Sequence, residues 1–186
     1  MIKILDSRKK NFKNNFEKLI LKRRKIDTKV DKIVKKIINN VKKNGDSALV
    51  YYEKRFNDNS KIIPSKKSID KAIRILTAAE KKAIFDSYKR IYKWHSLQLR
   101  KNIIYKDNFG NKFSYITKPL NSTAVYCPNL PSSALMNCIP SQLAGVKRLV
   151  LCTPAIKGQL NGAVMYAAKL CNVKEIVSLS GASAIA

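Results

Sequence analysis
The sequence predicts an α/β protein: a Rossmann-like, three-layer parallel sheet of βαβαβ connectivity, preceded by an α-helical N-terminal region and a β-hairpin. Three observations lead there. Thr123-Ala-Val-Tyr-Cys127, Arg148-Leu-Val-Leu-Cys-Thr153 and Glu175-Ile-Val-Ser-Leu179 are short apolar runs, each closed by proline or by Ser180-Gly181. Two segments of helical length, rich in Ala, Leu and Met, lie between them. Apolar strands alternating with helices imply parallel strands joined by crossovers. Sheets of that kind bind ligands at the carboxyl ends of their strands. Gly181-Ala-Ser-Ala-Ile-Ala186 then reads as the first turn of another helix, and the expectation is that the sequence represents part of a larger enzyme.

The elements follow in order. Residues 1–26 are polar and basic, with Phe12, Phe16, Leu19, Ile20 and Leu21 suggesting a short amphipathic helix. Val30, Ile33, Val34, Ile37, Ile38 and Val41 recur at helical spacing and make one apolar stripe, with Asp27 or Thr28 able to cap its start and Gly45 to stop it. Asp46 is expected to cap a second helix carrying Ala48, Leu49, Tyr52 and Phe56, broken by Asn57-Asp58-Asn59-Ser60. Ser68 is expected to open a short helix with Ile69, Ala72, Ile73 and Leu76. Thr77 and Glu80 form a capping box for a long helix whose face is Ile84, Phe85, Tyr88, Ile91, Tyr92, His95 and Leu99. Two short runs around Asp107-Asn-Phe-Gly-Asn111 read as a hairpin at about 102–117. Residues 1–118 are therefore expected to form a basic helical region ending in that hairpin, and 119–186 an incomplete Rossmann-like domain.

Composition narrows the possibilities. At 45% hydrophobic, 186 residues can bury a core, and no stretch of about 18 apolar residues marks a membrane span. Met1-Ile-Lys-Ile-Leu-Asp6 lacks a secretory core, so the cytosol is the expected location. The net charge is +26, and residues 1–118 hold 33 Lys and Arg against 11 Asp and Glu. Such an excess suggests nucleic acid or an anionic surface. Against that, 30 of the basic residues are Lys, and they scatter around helices rather than forming a stripe. A compositionally drifted surface is the better reading, and nucleic acid is not the favoured partner.

Each candidate site residue has a plainer role beside the functional one. Cys127, Cys138, Cys152 and Cys171 form no Cys-x-x-Cys pair and read as buried free thiols. His95 is the only histidine, so no His-based metal cluster or triad can be built, and a packed, hydrogen-bonded role suits it better. Tyr126, at the end of the first strand, could cover a ligand or close the sheet edge. Gly181-Ala182-Ser183 could bring backbone amides to an anion or make a tight turn. Ser132 and Ser133 are expected to cap the next helix, and Pro140 to kink or divide it. No glycine-rich phosphate loop occurs, and Glu175 is the single carboxylate in 119–186.

The residues resemble one family. Tyr126-Cys-Pro, Pro131-Ser-Ser-Ala-Leu-Met136, Ile139-Pro-Ser-Gln-Leu-Ala-Gly-Val146, Leu149-Val-Leu-Cys-Thr-Pro154, Ala167-Ala168 through Val173-Lys-Glu-Ile176, and Ser180-Gly-Ala-Ser-Ala-Ile-Ala186 resemble histidinol dehydrogenase in register. Val41-Lys-Lys-Asn-Gly-Asp-Ser-Ala-Leu49, Tyr52 and Phe56-Asn-Asp58 resemble that family's opening, so the likeness covers roughly residues 28–186 and less than half of a typical member. The resemblance implies oxidation of L-histidinol through the aldehyde to L-histidine with two NAD, a bound zinc and a homodimeric site. Tyr126 falls on a tyrosine associated there with NAD, and Ser183 falls where the family has a glutamine of a Gly-Gly-Ala-Gln stretch. Ser180 replaces the first glycine, and Asn129-Leu130 stands in a shortened loop without the family's glycines. All of these departures bear on dinucleotide binding. By resemblance the zinc ligands and the Glu-His acid/base pair belong to the family's second half, so no catalytic or metal-ligating residue is expected in this chain. Three readings follow: an N-terminal portion of such an enzyme acting with a complementary C-terminal chain, a non-catalytic remnant or interaction module, and a basic nucleic-acid-binding protein.

Overall fold
The computed structural model describes residues 5–24 and 28–186, leaving aside the side chains of 22–24. Five helices come first: α1 (Phe12–Arg24), α2 (Thr28–Asn44), α3 (Asp46–Asn57), α4 (Lys66–Arg74) and α5 (Ala78–Ser96). A hairpin of β1 (Ile103–Lys106) and β2 (Lys112–Tyr115) leads to β3 (Ser122–Tyr126), α6 (Pro131–Leu143), β4 (Arg148–Cys152), α7 (Gly162–Leu170) and β5 (Glu175–Val177). A 3-10 turn, Gly181–Ala184, follows.

The three late strands pair in parallel in the order β3-β4-β5, as the alternation of runs and helices predicts. Their register sets Val125 beside Leu151 and Leu151 beside Ile176, while Tyr126, Cys152 and Val177 form the next row. Side chains alternate between faces along a strand, so these rows point in opposite directions. The first row meets Leu135, Cys138 and Ile139 of α6 and Val164, Met165 and Ala168 of α7 in one core. Leu135 and Leu151 are fully enclosed, each burial contributing about 2–3 kcal/mol of transfer free energy.

Helices α6 and α7 lie against each other and cover one sheet face, and α4 and α5 pack onto them. The layers therefore run sheet, α6 with α7, then α4 with α5. Ala72 and Ile73 of α4 belong to the same core, with Ile84, Tyr88 and Ile91 of α5 packed against it. Gly162 makes the close approach possible: a Cβ there would stand 2.2 Å from the Ala72 carbonyl oxygen. A smaller cluster joins Ile37 and Val41 of α2 to Ala48 and Tyr52 of α3, with Ala182 of the 3-10 turn packed against it. Only the C-terminal half of the α2 stripe is covered, since Val30 and Ile33 are exposed.

Several local expectations are corrected. The helix after Gly45 takes Gly45 as its cap, and Asp46 is its first residue, where a carboxylate faces the positive helix end. The next helix begins at Lys66, because the Ser65 hydroxyl accepts the Ser68 amide at 3.2 Å. Neither Ser132 nor Ser133 caps α6: Leu130 stands at the cap and Pro131 opens the helix, where its missing N–H costs nothing. Pro140 does not divide α6, which runs to Leu143. The proline falls in the last turn, and the buried Cys138 and Ile139 hold that turn in the core. Helix α5 ends at Ser96, so Leu99 lies beyond its face. Thr28 is the first residue of α2, and Asp27 lies outside the described residues. No helix among the described residues is long and apolar enough to cross a membrane.

Candidate functional site
The carboxyl edge of the parallel sheet gathers the residues of interest. The ladder continues past the strands, with Cys127 N–H donating to the Cys152 carbonyl at 2.8 Å and Thr153 N–H to that of Val177 at 3.0 Å. Tyr126 is half-buried on the row facing away from α6 and α7. Its hydroxyl accepts the Gly181 amide at 3.1 Å, so the end of β3 reaches across β4 to the turn after β5. Gly181 sits at φ +50°, a conformation costly for a residue with a Cβ. Tyr126 and the turn bearing Ser183 are thus brought to one edge.

Ser183 itself points inward. It is 5% exposed, with Oγ 3.0 Å from Glu53 Oε1 and 2.6 Å from the Ser180 carbonyl. Glu53, in the middle of α3, has no exposed surface. Its Oε1 accepts the Ser180 amide at 2.7 Å and the Ser180 hydroxyl at 2.9 Å, and its Oε2 accepts from Asn57 Nδ2 at 2.7 Å. The same Asn57 nitrogen donates to Ser180 Oγ at 2.7 Å. A carboxylate withdrawn from water is tolerable only when its oxygens are met by donors, and here every donor is a neutral amide or hydroxyl. Sequence reasoning passed over Glu53. A signal was present: Leu49, Tyr52, Glu53 and Phe56 fall at i, i+3, i+4 and i+7, placing an acid on an apolar stripe.

Two polar atoms at this edge stand buried without a partner, Thr153 Oγ1 after β4 and Asn129 Oδ1 after β3. Asn129 takes φ +63°, and its carbonyl accepts from Asn161 Nδ2 at 3.2 Å. Asn161 in turn caps α7 through the amides of Ala163 and Val164. The loop Pro128–Leu130 is therefore tied to the start of α7.

The other candidates behave structurally. His95 is half-buried on α5, its Nδ1 2.8 Å from Gln98 Oε1. All four cysteines are buried and free. Hydrogen bonding to Cys171, with burial, pushes the Cys138 thiol up, and burial does the same to Cys127 and Cys152. These three thiols, held neutral, are poor metal ligands and poor nucleophiles, while the hydrogen bond from Cys138 lowers Cys171. Among the described residues no group of three or more His, Cys, Asp or Glu is placed to hold a metal, so the described residues do not fit a zinc ion. A cavity of about 770 Å³ opens beside β5, lined by Ile63, Ile69, Ile73, Val173 and Ile176. Neither Tyr126 nor Ser183 lines it, and its floor is core.

The chain is similar to known proteins in sequence and fold. The histidinol dehydrogenase family model matches residues 21–186. Histidinol dehydrogenase from Pelagibacter ubique (strain HTCC1062) is 53% identical over the whole of this chain, which covers 44% of that protein. The enzyme of the same name from Brucella abortus (strain 2308) is 34% identical, again over the whole chain and 45% of its own length. The crystal structure of histidinol dehydrogenase from Elizabethkingia anophelis superposes with a TM-score of 0.79 at 31% identity, over 87% of this chain and 39% of that one. The chain spans less than half the length of the relatives it matches. With a family match over most of its length, this chain belongs to the histidinol dehydrogenase family.

Proposed function
We infer that this chain supplies the nucleotide-side portion of an NAD-dependent oxidation of L-histidinol to L-histidine in the cytoplasm, acting with residues it does not itself contain. The observation that supports this most directly is the meeting of Tyr126 with the turn that bears Ser183 at the carboxyl edge of a parallel sheet. That edge is where such sheets take ligands. The unpartnered Thr153 Oγ1 and Asn129 Oδ1 add two polar atoms suited to a nucleotide's hydroxyls or amide. Bound there, NAD would supply the hydride acceptor. The chain's own part is to orient it: Tyr126 covers the edge from β3, and Ser183 belongs to the turn that frames it.

Two successive oxidations also need a base for the alcohol proton, a Lewis acid at the oxygen and an activated water. The described residues bring no metal-holding cluster together, and on this reading those groups are supplied by a second polypeptide or by further sequence of the family's length. Calorimetry with NAD tests the nucleotide reading on this chain. Mixing it with a polypeptide that covers the unmatched length of the relatives is expected to give histidinol-dependent NADH formation that neither produces alone. Silence from the mixed pair would sink the proposal.

A second reading has one observation in its favour. The Ser180 amide is taken by Glu53 and the Gly181 amide by Tyr126, so the turn offers an anion neither of them. A chain that retained the fold as a binding module would show unchanged pairing with its partner and no affinity for NAD.

A further inference from the structure
We propose that Glu53 is a positioning residue: from α3 it holds the turn after β5 in the conformation that presents Gly181 to Tyr126. Its bearing on nucleotide binding rests on the function proposed above; its effect on the turn stands apart from it.

The geometry carries the argument. Three contacts to Glu53 Oε1 span 127 to 130 residues of sequence, from the Ser180 amide, the Ser180 hydroxyl and the Ser183 hydroxyl. Asn57, one helical turn on, closes the ring by donating to both Glu53 Oε2 and Ser180 Oγ. The adjoining loop follows the same path: Lys157 N–H donates to the Asn57 carbonyl, and Ser178 N–H to that of Ile62, each at 2.7 Å. Helix α3 is thereby fastened to the carboxyl edge by polar contacts, and Ala182 packs beside them against the cluster shared by α2 and α3.

The arrangement also gives a role to Ser180 and Ser183. Both hydroxyls are directed at the same carboxylate oxygen. A glycine at 180 would bring no hydroxyl to it. The acid and the two serines form one unit, and the buried carboxylate occupies the backbone amide that an external anion would otherwise meet. A ligand at this edge is therefore met by the Tyr126 side and the strand ends rather than by the Ser180 amide.

The test uses the whole chain and three substitutions. Glu53→Ala removes both acceptors; Glu53→Gln keeps one and the shape; Ser183→Ala removes one donor. Amide hydrogen exchange is followed at Ser180 and Gly181, with Leu151 and Cys152 of β4 reporting global opening. In Glu53→Ala, Ser180 and Gly181 are expected to exchange about tenfold faster or more while the β4 amides hold their rates, with Glu53→Gln in between. Ser183→Ala is expected to speed exchange in the native background and to add nothing in Glu53→Ala. Unchanged exchange at Ser180 and Gly181 overturns the proposal, as does acceleration that merely tracks β4. Should Glu53→Ala fail to fold, Glu53→Gln and Ser183→Ala carry the same comparison. NAD titration separates the two claims. Affinity falling about tenfold in Glu53→Ala and partly recovered in Glu53→Gln extends the role to the nucleotide. Equal affinity in all variants confines Glu53 to the scaffold and overturns that extension. No NAD binding by the native chain defeats the proposed function, and the exchange data alone then decide the role of Glu53.

Discussion

Gly162→Ala is the sharpest probe of the packing, because its sign is in question. At an ordinary helix start the change would stabilise, by up to about 1 kcal/mol, through better helix propensity and a less flexible unfolded chain. Here the added Cβ would lie 2.2 Å from the Ala72 carbonyl oxygen and 3.0 Å from its carbon. A relaxed carbon-to-oxygen contact is about 3.3–3.6 Å, so α7 and α4 must part by roughly 1 Å. Both helices line one core, with Ala72 and Ile73 facing Val164 and Met165, and such overpacking costs about 1–3 kcal/mol. The obstacle is backbone, which no rotamer change can remove. The net expectation is a loss of roughly 1–2 kcal/mol, read as a lower urea midpoint at unchanged slope by far-UV circular dichroism. Trimming the neighbour at 3.4 Å by Leu76→Ala should not restore stability. Equal or greater stability in Gly162→Ala would refute the close α4–α7 contact.

Three further outcomes are expected. Thr77→Ala removes the hydroxyl that accepts the Glu80 amide at 3.2 Å and should cost about 1 kcal/mol, less when Glu80 is already Ala, as denaturant titration of the double-mutant cycle would show. Hydrogen bonds from Lys82 and then Lys89 lower the Asp86 carboxyl to about 2 from an ordinary 3.8. Because the folded value is the lower one, the stabilisation is complete above the unfolded value and is lost as pH falls from about 4 through about 2. Carbon-detected NMR titration should show that midpoint, and Lys82→Ala should raise it. Tyr126→Phe takes the acceptor from the Gly181 amide and should cost about 0.5–1 kcal/mol, since water can replace the hydroxyl at this half-buried site; urea denaturation of the variant would measure it.

The parallel sheet was legible because each strand is a short apolar run with a breaker behind it, and both helices between are long enough for a crossover. Tyr126 could be placed at the strand tip for the same reason. The capping box at Thr77 and Glu80 was legible because it is purely local. What escaped was long-range. The stripe of Leu49, Tyr52 and Phe56 places Glu53 on an inward face, but nothing within a few residues of it shows that its partners lie beyond position 179. The start of α4 was read three residues late, at Ser68, because the cap is the Ser65 hydroxyl that accepts the Ser68 amide. Packing of α4 and α5 onto α6 and α7 left only its trace in Ile84, Tyr88 and Ile91.

The four enclosed cysteines turn the protein into its own opening clock. Cys127 and Cys138 have no exposed surface, and Cys152 and Cys171 have 5% and 2%. An alkylating reagent reaches such sulfurs only when the interior separates. The pace of modification, compared with that of a short unfolded peptide, therefore converts directly into the free energy of parting α6, α7 and the strands. Four sites reacting in unison would mark a single cooperative body, whereas an early Cys152 would show the side of the sheet away from α6 and α7 loosening first.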